Sequence, residues 1–112
     1  MKEIKAYIRP SVADKVIAAL ETAGARGMTV IDVSMIGGWS DPENSKLSIK
    51  YCERYSSSIK IELVCEDDDL EKFVKVVLDN AHTGSKGDGK IFVSDISEAI
   101  SIRRKQRGAE AL

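Results

Sequence analysis

Residues 59–94 read IKIELVCEDDDLEKFVKVVLDNAHTGSKGDGKIFVS, and the periodicity of this stretch changes along its length. Ile59, Ile61, Leu63 and Cys65 alternate with Lys60 and Glu62, the pattern of a strand with one buried face. Asp67, Asp68 and Asp69 then open a helix, since carboxylates favour the positive end of the helix dipole. Leu70, Phe73, Val74, Val77, Leu78 and Ala81 supply its apolar stripe. Gly84 lies just past the helix end, a position that favours glycine. After the loop GSKGDG, residues 90–94 (KIFVS) return to a strand.

The sequence before this unit repeats the theme. Ile4, Ala6 and Ile8 fall on one face of a predicted strand over 3–9, and Glu3, Lys5 and Arg9 on the other. Pro10 ends that strand, and Ser11 can cap a helix starting directly after it. Val12, Val16, Ala19, Leu20 and Ala23 then recur at helical spacing over 12–23, with Gly24 and Gly27 bracketing a turn. Residues 28–36 (MTVIDVSMI) predict a second strand. From Gly37 to Ser57 no period is sustained, and Gly37-Gly38, Asp41-Pro42 and the Ser56–Ser58 triplet punctuate the segment. Unstructured loops longer than about 15 residues are uncommon in compact domains and often functional. A short tail element is predicted over 97–103.

The order is βαββαβ, which predicts an α+β ferredoxin-like sandwich: an antiparallel sheet, two helices on one face and a long loop after the second strand. One domain is expected over 1–112, with a protruding loop at about 37–57 and a tail at about 104–112. The second sheet face has no helix in this chain, yet it carries Tyr7 and Val64. Burial against another copy of the chain is one solution.

The totals narrow the function. Lys and Arg number 17 against 18 Asp and Glu, a net charge of −1. A non-specific nucleic-acid binder carries a basic excess, so no nucleic-acid partner is expected. No segment approaches the roughly 20 apolar residues of a membrane span. The N-terminus lacks the apolar run of a signal peptide, and a cytoplasmic protein that is not membrane-embedded is expected. Cys52 and Cys65 are 13 residues apart, which is neither a disulfide framework nor metal-ligand spacing. Cys65 reads as a core residue, and Cys52 receives no role. His82 is the only histidine and reads as a helix-end residue. No metal site, catalytic residue or nucleophile–base pair is visible, so an enzyme is not expected.

Residues 84–90, GSKGDGK, match the literal pattern of a P-loop. That pattern needs a Ser or Thr next and must open a helix, whereas Ile91 and a strand come next here. Two readings stay open. Glycines let backbone approach a ligand and consecutive N–H groups can cradle an anion, with Lys90 beside them. The alternative is a mobile turn between helix and strand. The basic run Arg103–Arg107 reads either as a solvated surface or as the completion of a phosphate site.

Thr83-Gly84-x-x-Gly87-Asp88-Gly89-Lys90-Ile91-Phe92-Val93 resembles the C-terminal signature of the PII nitrogen-regulatory family. Ile102-Arg103, the run Gly27-Met28-Thr29-Val30 and the strand Lys60-Ile61-Glu62 also resemble it at matching spacing. The resemblance covers residues 1–36 and 59–103 without gaps. It implies a homotrimer of ferredoxin-like subunits that binds ATP, ADP or AMP in clefts between neighbours. A long loop after the second strand would contact a regulated protein, either a membrane transporter or a metabolic enzyme. By resemblance Thr29, Glu62 and Val64 lie near the adenine. Gly37, Gly87, Asp88, Gly89, Lys90 and Arg103 line the phosphate side.

The departures carry their own expectations. The family has a glycine at Met35, a glutamine at Trp39, a lysine at Ser58 and an arginine at Ser101. The glutamine and the lysine help to hold magnesium and 2-oxoglutarate, and the arginine helps to hold phosphate. The usual 2-oxoglutarate response is therefore not expected, and whether magnesium joins the nucleotide is left open. Tyr51 falls at the column of a tyrosine that some members carry uridylylated, in a loop that otherwise differs. The rivals are an ordinary nitrogen-status sensor binding ATP and 2-oxoglutarate, a PII-like regulator of another pathway, a slow ATPase using Asp88 or Glu62, and a ligand-free trimeric scaffold.

Overall fold

Strand β1 (Lys2–Ile8) turns Ile4, Ala6 and Ile8 to one side, where none is more than 2% exposed. The remaining elements assemble around that face in this computed structural model, which describes residues 1–50 and 53–112. Helix α1 (Pro10–Thr22) contributes Val16 and Leu20, both fully buried. Strand β4 (Glu53–Cys65) adds Ile61, Leu63 and Cys65, and helix α2 (Leu70–Ala81) adds Phe73 and Val77. Both helices cover the same face of the sheet.

Strand β2 (Thr29–Met35), the short strand β3 (Ser45–Ser48) and strand β5 (Gly89–Asp95) complete the element order. The sheet runs β2-β4-β1-β5, with β3 pairing only with β4, and every pairing is antiparallel. This is the predicted ferredoxin-like α+β arrangement. β1 lies inside the sheet and pairs on both sides: Ile4 faces Leu63 on β4 and Val93 on β5.

Four boundaries differ from expectation, each for a local reason. Pro10 is the first residue of α1 and not a gap before it, because its fixed φ suits that position and its missing N–H would be unpaired there anyway. Arg9 is the cap residue, and Ser11 makes no capping hydrogen bond. The three aspartates form a separate 3₁₀ turn, Asp67–Asp69, ahead of α2. The tail element expected over 97–103 is a turn in which Ile100 bridges to Arg107, and Gly108–Ala111 form a final 3₁₀ turn.

The largest difference concerns the segment read as a loop. β4 begins at Glu53, well before Ile59, and its first half pairs with both β2 and β3. The Ser56–Ser58 triplet has no apolar alternation, so its strand character comes from the ladder and not from its composition. Ser56 and Ser58 are buried. The Ser58 hydroxyl donates to the Ile8 carbonyl at 2.8 Å, and the Ser56 hydroxyl accepts the Asp41 N–H at 2.9 Å. The segment is thus a β-hairpin with an irregular base. Tyr51 and Cys52 lie outside the described residues.

Ile61 is fully buried at the centre of the core. Ile61→Ala is expected to cost about 2–5 kcal/mol through lost burial and the cavity left behind, read as a lower urea midpoint at an unchanged slope.

Candidate functional site

The predicted site residues fall in two separate clusters. The first forms around β2 and β4. Thr29 and Glu62 are direct cross-strand partners, so their side chains share a face. Val64 follows at the next same-face position of β4. These three line an open groove of about 280 Å³ together with Glu3, Gly27 and Met28. Lys60 Nζ lies 2.5 Å from Glu62 Oε1. That hydrogen bond and charge hold the Glu62 carboxyl below the usual range against some desolvation, while the same bond raises Lys60.

The second cluster is the loop entering β5. Gly84, Gly87 and Gly89 have φ of +88°, +104° and +110°, a region that L side chains rarely adopt. Gly89 is also sterically fixed, since a Cβ there would sit 1.7 Å from the Tyr7 carbonyl oxygen. The loop is organised by Asp88. Its carboxylate accepts from the Thr83 N–H at 2.7 Å, from the Gly84 N–H at 2.8 Å, and from the Thr83 hydroxyl. Partial burial opposes the Asp88 charge. The Thr83 hydroxyl, the Thr83 and Gly84 N–H groups and then the Arg9 charge outweigh it, and the carboxyl is held below its ordinary value. Asp88, Gly89 and Lys90 also line an apolar groove of about 410 Å³ that runs between α2 and the free edge of β5.

Arg9, which the alternation in sequence places only on a polar strand face, joins this loop to the hairpin base. Its side chain is 12% exposed. Nη2 donates to the Lys86 carbonyl at 2.8 Å, Nη1 lies 3.1 Å from Asp41 Oδ2, and Nε lies 3.5 Å from Asp88 Oδ1. Asp41 itself is buried. It accepts from the Glu43 N–H at 3.0 Å and the Asn44 amide at 2.9 Å. A Cβ on Gly87 would meet the Asp41 Cα and Cγ at 2.8 Å. Asp41-Pro42 reads as turn punctuation in a single sequence, and nothing local marks its pairing with Arg9.

The structure gathers the remaining site residues less closely. Gly37, at φ +104°, opens the turn into the hairpin, and its carbonyl accepts from the Ser40 N–H and hydroxyl. Trp39, in the same turn, meets Tyr7 and Phe92 edge-on, with ring centroids 5.4 and 6.1 Å away. Arg103 is exposed in the tail turn beside Ile102, which is 96% exposed. No hydrogen bond or ion pair joins Arg103 to the glycine loop among the described residues. Within one chain, β1 and β4 separate β5 from β2. The Thr29–Glu62–Val64 groove and the Gly87–Lys90 loop therefore do not form one pocket.

A family model described as nitrogen regulatory protein P-II matches residues 1–106. The chain is similar to nitrogen regulatory protein P-II 1 of Methanothermobacter thermautotrophicus, 38% identical over all 112 residues and 97% of that protein. It is 40% identical to the nitrogen regulatory protein P-II of Pyropia yezoensis and 35% identical to that of Azospirillum brasilense, covering each chain in full.

The depressed Asp88 carboxyl has a consequence for stability. A group whose native pKa lies below its unfolded value stabilises the fold above the unfolded value, about pH 4, and that contribution is lost as pH falls through the native pKa. Asp88→Asn is expected to lower the urea midpoint at about pH 7, and its gap from wild type is expected to narrow as the pH falls below about 4. A gap that persists in acid would show that the Asp88 charge is not what the loop uses.

Proposed function

The chain belongs to the nitrogen regulatory protein P-II family, and on that premise we propose that it is a cytoplasmic signal-transduction regulator that binds adenine nucleotides between subunits of a homotrimer. The observation that carries this reading is the separation of the two clusters. Thr29, Glu62 and Val64 share a groove at one side of the sheet, and the glycine loop lies at the other. A nucleotide touching both needs the β2 side of one copy beside the β5 side of another. A charged Glu62 suits an exocyclic amino group, which donates hydrogen bonds. The left-handed glycines put no side chain of their own between the loop backbone and a ligand, and Lys90 adds charge. Gly37 and Arg103 complete the phosphate side in this reading, Gly37 from the hairpin base and Arg103 from the exposed tail. Asp88 acts through the loop it shapes.

The partner-facing element is the hairpin over 37–57, which presents Leu47 and Ile49 at 73% and 93% exposure. A regulated transporter or enzyme would read its position, which the bound nucleotide biases. Tyr51 falls in the same stretch of sequence and is a candidate modification site.

The usual 2-oxoglutarate response, with magnesium held from position 39, does not fit the residues present. A dianion needs cationic or metal partners to offset its desolvation, and magnesium needs oxygen ligands. Trp39 offers one N–H and no oxygen, and its ring is engaged with Tyr7 and Phe92. Ser58 brings no charge, and its hydroxyl is committed to the Ile8 carbonyl. The hairpin then answers to nucleotide identity.

Lys90→Ala is expected to weaken ADP binding about tenfold, roughly 1.4 kcal/mol, in calorimetry. Adenine nucleotides giving no heat with wild type would overturn the nucleotide reading, and measurable turnover of ATP would favour an enzyme. Light scattering is expected to give a trimer mass at micromolar protein, and a clean monomer would overturn the inter-subunit site. In a separate titration with Mg-ATP present, 2-oxoglutarate is expected to give no saturable binding at micromolar concentration. Saturation there would restore the ordinary nitrogen-sensor reading.

A further inference from the structure

The hairpin base places a carboxylate of the chain itself against the glycine loop. The Asp41 side chain is 5% exposed, and burying a carboxylate is costly unless it is paired. Arg9, the Glu43 N–H and the Asn44 amide supply the pairing. The same residue fills the flank of Gly87, where a side chain would otherwise project. In an anion cradle, that glycine flank is the side a phosphate approaches.

We infer that Asp41 is an internal anion that docks the hairpin base on the glycine loop and competes there with the phosphate groups of a bound nucleotide. The inference rests on the nucleotide reading above. Two anions beside Gly87 repel one another, and one cation, Arg9, serves both. Arg9 stays with the loop, because the Lys86 carbonyl and Asp88 hold it independently of Asp41. Asp41 is the group able to leave, since it belongs to no strand. Its departure frees the turn that carries Trp39 from Tyr7 and Phe92. Coupling of this kind is reciprocal: whatever strengthens hairpin docking weakens phosphate binding by the same factor.

Trp39 is the only tryptophan, so its emission reports the docked turn directly. Asp41→Asn keeps the side-chain shape and removes the charge. It is expected to bind ADP about fivefold more tightly than wild type, roughly 1 kcal/mol. Its nucleotide-free emission is expected to resemble that of ADP-loaded wild type. Arg9→Met removes the cation that both anions use, so ADP binding is expected to weaken while Trp39 is still released. The opposite signs matter, because an Asp41 that merely propped the loop would weaken ADP binding when replaced, as Arg9 does. Wild type binding ADP while Asp41→Asn binds it equally or less tightly overturns the competition and leaves the nucleotide reading standing. ADP heat absent from wild type and both variants overturns the nucleotide reading and the competition together.

Discussion

The structure depends on β1 having no free edge. Its backbone pairs with β4 on one side and β5 on the other, so two segments far apart in sequence are aligned on one strand. At the β5 side the fit is so close that only glycine is accommodated, since Gly89 lies directly against the Tyr7 carbonyl. That contact fixes where the glycine loop enters the sheet. It also fixes where Arg9 emerges, because Pro10 ends the strand and starts α1 at once. The position of the cation that organises the loop is therefore set by backbone pairing, before any side chain contributes.

The same pairing scheme divides the candidate site. Cross-strand register puts Thr29, Glu62, Lys5 and Phe92 in one row, and Ile31, Lys60, Tyr7 and Lys90 in the next. These rows alternate charge with ring, and within one chain they face no helix. The Lys60–Glu62 pair neutralises part of that surface while Tyr7, Phe92 and Trp39 cover another part. A second copy of the chain meeting such a face buries few unpaired charges, which suits the proposed assembly better than a wholly polar surface would.

Much of this is legible in the sequence because it is local. The period of Ile59, Ile61, Leu63 and Cys65, the apolar stripe from Leu70 to Ala81 and the glycines at 84, 87 and 89 each act over a few residues, and the structure has a strand, a helix and a turn there. The burial of Cys65, which raises its thiol pKa, comes from the same alternation. The hairpin is not legible. Ser56–Ser58 and Ser45–Ser48 carry no alternation, and their strand character comes from pairing with partners elsewhere in the chain. Arg9 and Asp41 escape a sequence reading for the same reason. Neither has an unusual neighbourhood in sequence, and their ion pair exists only because β1 ends where the hairpin begins. The grooves show the reverse case, because family resemblance names Thr29, Glu62 and Val64 together and the register places them side by side.

The hairpin turn shows why these departures belong together. Trp39 gives the turn an apolar anchor on Tyr7 and Phe92, and two residues later Asp41 gives it an acidic anchor on Arg9. Replacing a metal-binding side chain by an indole would by itself leave the turn without a reason to hold one position over the glycine loop. A buried carboxylate paired with a fixed guanidinium supplies one, and breaking such a pair by removing one partner is costly. The docked turn is then held by the chain's own charges. The carboxylate also makes the arrangement reversible, because an incoming phosphate offers Arg9 an alternative partner of the same sign as Asp41. On the proposed reading, a side chain and a ligand contend for the place beside Gly87 and for the Arg9 guanidinium.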